Sequence, residues 1–129
     1  MTEERARLDT LHTTYPRVFS TGPLTWGFEH GDGWSDLIAA LCANINEILE
    51  SEPDASMQVK QAKEKFGTLR FYYRLNGVND DVGMRVRRTV ALAEKASGCI
   101  CERCGCLATL RAEAGWWSTL CTSCRTDST

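Results

Sequence analysis

Two CxxC pairs near the C-terminus constrain the fold more than any other feature of the 129-residue chain. They are Cys101/Cys104 and Cys121/Cys124, separated by residues 105–120. Each CxxC turn directs two thiolates at one point, and two such pairs at this spacing are typical of a four-cysteine zinc site. The stretch LATLR-AEAG-WWSTL between them favours a β-hairpin that returns the second pair to the first. We therefore predict a C-terminal zinc ribbon, or a treble-clef-like zinc finger, over residues 99–129.

The ligand set has alternatives, because Cys99 and Cys106 lie two residues from Cys101 and Cys104. A CxxC at both ends is the better geometry, so we expect Zn²⁺ on the four paired cysteines, with Cys99 and Cys106 as spares. Redox-active or merely fortuitous thiols are the alternative. Four thiolates fill the tetrahedral shell and leave no position for a reactive water, so we expect the zinc to be structural. It would supply the folding energy of a tail that has few apolar residues.

Residues 1–98 carry the patterns of an α+β body. GWSDLIAALCANINEILE repeats its apolar residues on one helical face and predicts a helix over 34–50, with Asp32 or Ser35 as the cap. DDVGMRVRRTVALAEKAS predicts a second helix over 81–97, capped by Asn79 or Asp80. A short helix is expected over 2–14, and a loop over 20–33 with a short strand at 26–28.

The segment QVKQAKEKFGTLRFYYRL predicts a β-hairpin within residues 57–75. TLRFYYRL alternates apolar and polar residues, and SMQVKQAK is its expected partner strand, with KEKFG as the turn. A short helical segment from Lys60 to Phe66 is the alternative. We therefore expect a small antiparallel sheet packed on the 34–50 and 81–97 helices, with the ribbon of residues 99–129 packed on the body of residues 1–98.

The polar side of this hairpin is basic and aromatic. Arginine binds phosphate in a bidentate manner, and tyrosine stacks on a base or donates its hydroxyl. The candidate ligand-binding residues, including two from the 81–97 helix, are Lys60, Lys63, Lys65, Arg70, Tyr72, Arg74, Arg85 and Arg88.

Charge is unevenly distributed along the chain, although the net charge is only −2. Residues 1–57 hold three basic and ten acidic side chains (−7), whereas residues 58–95 hold nine basic and four acidic ones (+5). One basic segment in an acidic protein argues against a generic DNA binder, which is basic throughout. It favours a local anionic ligand or, equally, packing of the acidic part against the basic part.

Catalytic signatures are absent from the sequence. It contains no Walker-type loop, G-x-S-x-G, H-E-x-x-H or deaminase motif, so we do not expect an enzyme. Glu29, His30 and Asp32 form a compact polar cluster that suits a ligand or second metal, or only a loop with a helix cap. Cys42 lies on the apolar helix face and is expected to be a core thiol.

No apolar run approaches the about 20 residues of a membrane span, and the charged N-terminus is unlike a secretory signal. These features predict a cytoplasmic protein without a membrane partner. The sequence does not determine the oligomeric state; a twofold homodimer is the commonest small homo-oligomer.

The segments YPRVF, WGFEHGDGWSDLI, QVKQAKEKFGTLRFYY and CERCG…GWWSTLCTSC together resemble a group of small proteins encoded by tailed phages and prophages. The resemblance spans nearly the whole chain, and GDGW and KEKFGTLRFY are its most specific parts. It implies a phage accessory protein, acting in the host cytoplasm, that interferes with host systems such as nucleotide-signalled defence.

Three binding functions follow, and we favour the first. It is a non-catalytic protein that binds a phosphate-bearing ligand, such as a nucleotide signal of host defence, on the hairpin. The second is an inhibitor or adaptor that binds a host protein through the acidic half or the tryptophans. The third is a zinc-ribbon protein that binds single-stranded nucleic acid.

Overall fold

The computed structural model describes residues 2–126. The N-terminal helix α1 (Glu3–Thr14) matches the helix expected over 2–14 and buries Leu8 and Leu11. Pro16 disfavours helical geometry at the residue before it, so the helix ends there. Next come strand β1 (Phe28–Glu29), a single 3₁₀ turn (Asp32–Trp34) and helix α2 (Ser35–Leu49). The expected cap of α2 is wrong, because neither the Asp32 nor the Ser35 side chain accepts a hydrogen bond from a backbone N–H of the first turn. The 3₁₀ turn opens the helix instead.

Strands β2 (Ser56–Lys65) and β3 (Thr68–Asn76) form the predicted antiparallel hairpin. The turn is only Phe66–Gly67, and both residues have positive φ, at 54° and 87°. These values are those of a tight two-residue hairpin turn. The strand therefore continues through KEK, and the helical alternative for Lys60 to Phe66 is wrong. Strand β1 pairs parallel with β2, in the order β1-β2-β3.

A β-bulge at Lys60 shifts the register between Val59 and Gln61. One side of the hairpin, the inner face, packs into the core; its cross-strand pairs are Met57/Leu75, Val59/Tyr73, Ala62/Phe71 and Glu64/Leu69. The opposite side is called here the outer face, and its pairs are Gln58/Arg74, Gln61/Tyr72, Lys63/Arg70 and Lys65/Thr68.

Helix α3 (Asp80–Ser97) is capped by Asn79, whose side chain accepts from the Val82 N–H at 2.8 Å. It packs against α2 and covers the free edge of β3. There the backbone N–H groups of Leu69 and Phe71 donate to Ser97 and Glu94 at 2.8 and 2.9 Å. These bonds satisfy edge donors that no further strand pairs.

The C-terminal part contains the hairpin β4 (Thr109–Glu113) and β5 (Trp116–Leu120), followed by the short helix α4 (Thr122–Thr126). The α+β architecture with a C-terminal ribbon is therefore confirmed. The second cysteine pair begins just before α4, as in the treble-clef-like alternative. None of the helices in residues 2–126 is long and apolar enough to cross a membrane.

Candidate functional site

The four cysteines of the two CxxC pairs converge. Their Sγ atoms all lie within 4.8 Å of one another, and the Sγ atoms of Cys104 and Cys121 are 3.6 Å apart. A tetrahedron of Zn–S bonds of about 2.3 Å places its sulfur atoms about 3.8 Å apart. The cluster can therefore hold a metal ion such as zinc. Cys99 and Cys106 are exposed and lie outside it, so the structure selects the paired cysteines.

The backbone around the two cysteine pairs orients their thiols towards the centre of the cluster. The Cys101 N–H donates to the Cys106 carbonyl at 2.7 Å, and Gly105 closes the turn with φ +84°. Within each pair, the N–H of the second cysteine points at the sulfur of the first, at 3.5 Å from Cys104 to Cys101 and at 3.5 Å from Cys124 to Cys121. Such N–H groups stabilise a thiolate and prepare the sulfur to bind a metal cation.

The pKa values of the buried thiols reflect this arrangement. Burial alone would raise the pKa of Cys101, but backbone N–H groups from Cys121, Cys104 and Arg103 outweigh it and lower the pKa to about 6. The pKa of Cys124 is raised to about 12, first by its hydrogen bond with the Cys121 side chain and then by burial. Cys42 differs, because burial alone raises its pKa to about 12, as expected of a core thiol.

The GDGW segment (residues 31–34) packs against the chain around the first cysteine pair. The Gly33 N–H donates to the Glu102 carbonyl at 2.7 Å, and the Gly31 N–H donates to the Glu102 carboxylate at 2.8 Å. The indole N–H of Trp34, whose ring is fully buried, donates to the Ile100 carbonyl at 2.8 Å. A Cβ on Gly33 would lie 2.1 Å from the Cys101 carbonyl oxygen, so only glycine allows this approach.

The second connection between body and ribbon lies at the β2–β3 turn. A Cβ on Gly67 would lie 2.4 Å from the Leu110 side chain and 3.1 Å from the Ser118 nitrogen. The buried Thr119 hydroxyl donates to the Gly67 carbonyl at 2.7 Å. Sequence reasoning missed both connections; the glycines beside Trp34 and at the turn were the available signals. That ribbon and body behave as one unit stays a prediction.

The Glu29/His30/Asp32 cluster does not converge on a ligand. Glu29 accepts from the Gln61 amide at 2.8 Å, on the outer side of the sheet. Asp32 accepts from the Thr2 hydroxyl at 2.6 Å and pairs with Arg5 at 3.0 Å; the Thr2 bond is the largest cause of its lowered pKa. His30 is only 7% exposed and lies between the rings of Phe28 and Trp34.

The structure brings most of the basic candidates together on the outer face. Lys63 and Arg70 are directly opposite each other, Lys65 follows towards the turn, and Tyr72 and Arg74 continue along β3. Tyr72 is 44% exposed. Lys60 is exposed but lies in the bulge, without a cross-strand partner in the register.

Arg85 and Arg88 are exposed on α3 and not on the hairpin. Glu94 marks the helix side that faces β3, because its carboxylate accepts from the Phe71 N–H. At 3.6 residues per turn, Arg85 lies on the opposite side of the helix from Glu94, and Arg88 is about a third of a turn away. Arg87, two turns before Glu94, is the arginine near β3, where it lies close enough to influence the pKa of Tyr73.

Ion pairing does not neutralise the outer face. Within residues 2–126, the ion pairs connect Arg5 with Asp32, Arg7 with Asp36, and Glu113 with both Arg111 and Arg125. The alternative of a salt-bridged seam between acidic and basic parts is therefore wrong for the candidate residues. The Arg70 Nε–H is moreover buried and has no hydrogen-bond partner among the described residues.

Two cavities of the protein are lined by residues that do not belong to the outer face. One of about 540 Å³ is lined by ribbon residues including Cys99, Arg111 and Cys121, and one of about 460 Å³ lies between Trp116, Arg103 and the GDGW segment.

Comparison of the chain with protein-family models, with curated proteins and with solved structures gave no match.

Proposed function

We propose that this is a non-catalytic binding protein whose outer face takes an anionic, phosphate-bearing ligand, with a structural zinc ion in the four-cysteine centre. Arg70 carries the proposal, since it lies in the middle of the outer face, opposite Lys63, and its side chain has no hydrogen bond or ion pair among the described residues. A guanidinium without a partner in the fold is available to bind phosphate oxygens.

The neighbours of Arg70 fit the same chemistry. Lys63 is its direct cross-strand partner, and two cations at that separation repel each other unless an anion lies between them. Tyr72 offers an exposed ring one step farther along the same side of β3. Glu29 is the register neighbour of Lys63 on β1; its carboxylate accepts from the Gln61 amide and forms no salt bridge with Lys63 among the described residues.

The zinc would act by supporting this face. Four thiolates close the coordination shell, so the metal has a structural role rather than a reactive one. The ribbon it holds contacts the β2–β3 turn through Thr119 and Gly67. In the phage context that the sequence resembles, the ligand would be a nucleotide signal of host defence, bound in the host cytoplasm.

A titration with phosphate-bearing compounds tests the proposal. Inorganic phosphate, pyrophosphate and a panel of nucleotides are added to the zinc-loaded protein, and thermal shift and calorimetry are recorded. Losing a hydrogen bond to a charged group costs about 1.5–3 kcal/mol, so Arg70→Gln should weaken binding about 10- to 150-fold. Arg88→Gln removes the same charge from helix α3, outside the hairpin, and should bind normally.

Two results would overturn the proposal: no compound in the panel raises the melting temperature, or both variants lose affinity equally.

Host-protein binding is the second candidate, and exposed apolar side chains favour it. Trp26, Leu107 and Trp116 are 76%, 87% and 74% exposed. Capture of one defined host protein that Arg70→Gln leaves intact but Trp116→Ala abolishes would support that function instead.

A further inference from the structure

We infer that the ligand of the outer face is a single strand of nucleic acid. The inference rests on the proposed function and narrows it from phosphate-bearing ligands in general to a polymer. It follows from the length of the face, from the order of its side chains and from its open shape.

A second exposed ring extends the face beyond Tyr72. Phe66 stands at the β2–β3 turn and is 63% exposed, and the Lys65 ammonium lies 5.7 Å from the centre of its ring. Because Lys65 belongs to the outer face, its contact with Phe66 places the Phe66 ring at the edge of the outer face. The face thus has one aromatic ring on β3 and one at its end.

The two rings are too far apart for one nucleotide. Four strand residues separate Tyr72 from Thr68, which is about 14 Å at about 3.4 Å per residue, and Phe66 lies beyond Thr68. A stacked single strand advances about 3.4 Å per nucleotide, and an extended one advances farther. Roughly three to five nucleotides are therefore needed to reach both rings.

Cations occupy the interval between the rings and beyond it. Lys63 and Arg70 lie between Tyr72 and the turn, Lys65 lies next to Phe66, and Arg74 lies on the far side of Tyr72. Aromatic rings interleaved with cations are the pattern that binds single strands, because bases stack on the rings while phosphates contact the cations. Duplex bases are already stacked on each other and cannot use the rings in this way.

The shape of the face agrees with this ligand. Small-molecule sites are concave, whereas the larger cavities described above lie along the ribbon and not on the outer face. The ribbon packs at one end of the outer face, beside the β2–β3 turn, whereas Arg74 at the other end is exposed, so a strand can continue past the protein there. The acidic first half of the chain limits the contact to this one strip and accounts for the low overall charge.

Fluorescence anisotropy with labelled thymidine oligonucleotides of increasing length provides the test. We expect affinity to increase from the mononucleotide to about five nucleotides and then to level off. With three to four cations in contact, the slope of log affinity against log salt should be about −2 to −3. A duplex of the same length should bind more weakly than the single strand.

Phe66→Asn is the decisive variant, since Asn-Gly is a favoured pair for a two-residue turn and the substitution removes the ring without weakening the hairpin. One stacked base contributes about 1–3 kcal/mol, so pentanucleotide affinity should drop about 5- to 150-fold while mononucleotide affinity stays unchanged. Trp26→Ala, at an exposed ring in the loop before β1, is the control and should have no effect.

Equal affinity for mononucleotide and pentanucleotide, or for single strand and duplex, would overturn the inference and leave the proposed function standing. Failure of every nucleotide, oligonucleotide and inorganic phosphate to bind would remove both.

Discussion

The hydroxyl of Thr119 donates a hydrogen bond of 2.7 Å to the carbonyl of Gly67, across 52 positions of sequence. This contact connects the ribbon hairpin with the turn that ends the outer face. It is buried, and Gly67 can come this close only because it has no side chain. The turn of the basic hairpin is therefore in direct contact with the ribbon that carries the candidate metal centre.

Replacing Thr119 by valine should destabilise the protein by about 1–3 kcal/mol, because the Gly67 carbonyl loses its partner while staying buried. Urea unfolding of the zinc-loaded protein measures the change. Thr109→Val is the control, at an exposed strand position in the same ribbon hairpin. Equal unfolding free energies for the two variants would show that the contact does not contribute to stability.

Substitution of Gly33 by alanine should cost about 3 kcal/mol or more. Its Cβ would lie 2.1 Å from the Cys101 carbonyl oxygen and 2.6 Å from the Glu102 carbonyl carbon, and backbone on both sides cannot move independently of the cysteine pair. The unfolding free energy and the zinc content are the measurements.

Gly83→Ala is the matched control. Its nearest neighbour is a Val78 methyl group at 3.9 Å, in ordinary contact, and the residue lies inside α3. Alanine there should stabilise the protein by about 0.5–1 kcal/mol, because it improves helix propensity without a clash. A Gly33→Ala protein as stable as Gly83→Ala would contradict the close packing of GDGW on the ribbon.

Local patterns explain why much of this fold is predictable from sequence. The CxxC spacing identified the clustered cysteines, and the alternation in TLRFYYRL identified the inner and outer sides of β3. The bulge at Lys60 is different, because an extra residue changes the alternation of β2 and only the partner strand reveals it. The side of α3 that faces β3 is likewise not readable from the local pattern, since it depends on tertiary contacts, and a role of Arg85 and Arg88 in binding stays a prediction.

The GDGW segment shows the limit of local reasoning most clearly. Its polar residues suggested a ligand cluster or a helix cap, yet its glycines and Trp34 contact residues 100–102, more than 65 positions later in the chain. Nothing in the local pattern predicts such a partner. Two glycines shortly before a buried tryptophan are compatible with a turn, a ligand loop or a docking surface, and packing decides among them.

Zinc retention should separate the cysteines into two classes. Cys104→Ser and Cys121→Ser each remove one ligand from the cluster and should lose the metal, together with the order of the ribbon. Cys99→Ser and Cys106→Ser change exposed thiols outside the cluster and should keep one zinc ion per chain. Native mass spectrometry gives the stoichiometry directly. Zinc loss in the Cys106 variant, with retention in Cys104→Ser, would require a different ligand set.

Acidification should lower the free energy of unfolding through protonation of the buried His30. Its Nδ1–H donates to the Gly31 carbonyl at 2.9 Å, and its buried Nε2 has no partner in the described part of the chain. Burial is the largest cause that lowers its pKa below the ordinary 6.5. The folded protein therefore resists protonation more than the unfolded chain does. The stability associated with neutral His30 is fully present above pH 6.5 and is lost as the pH drops below it.

His30→Gln removes this titration. The unfolding free energy of the original protein should decrease relative to that of the variant as the pH drops below 6.5. Both proteins keep the four cysteines of the metal cluster, so competition between protons and zinc affects both alike and cancels in the difference of their unfolding free energies. His12→Gln, at the other histidine, should leave the pH dependence of the original protein intact. A His30→Gln protein that loses stability with acid as steeply as the original would show that another group carries the effect.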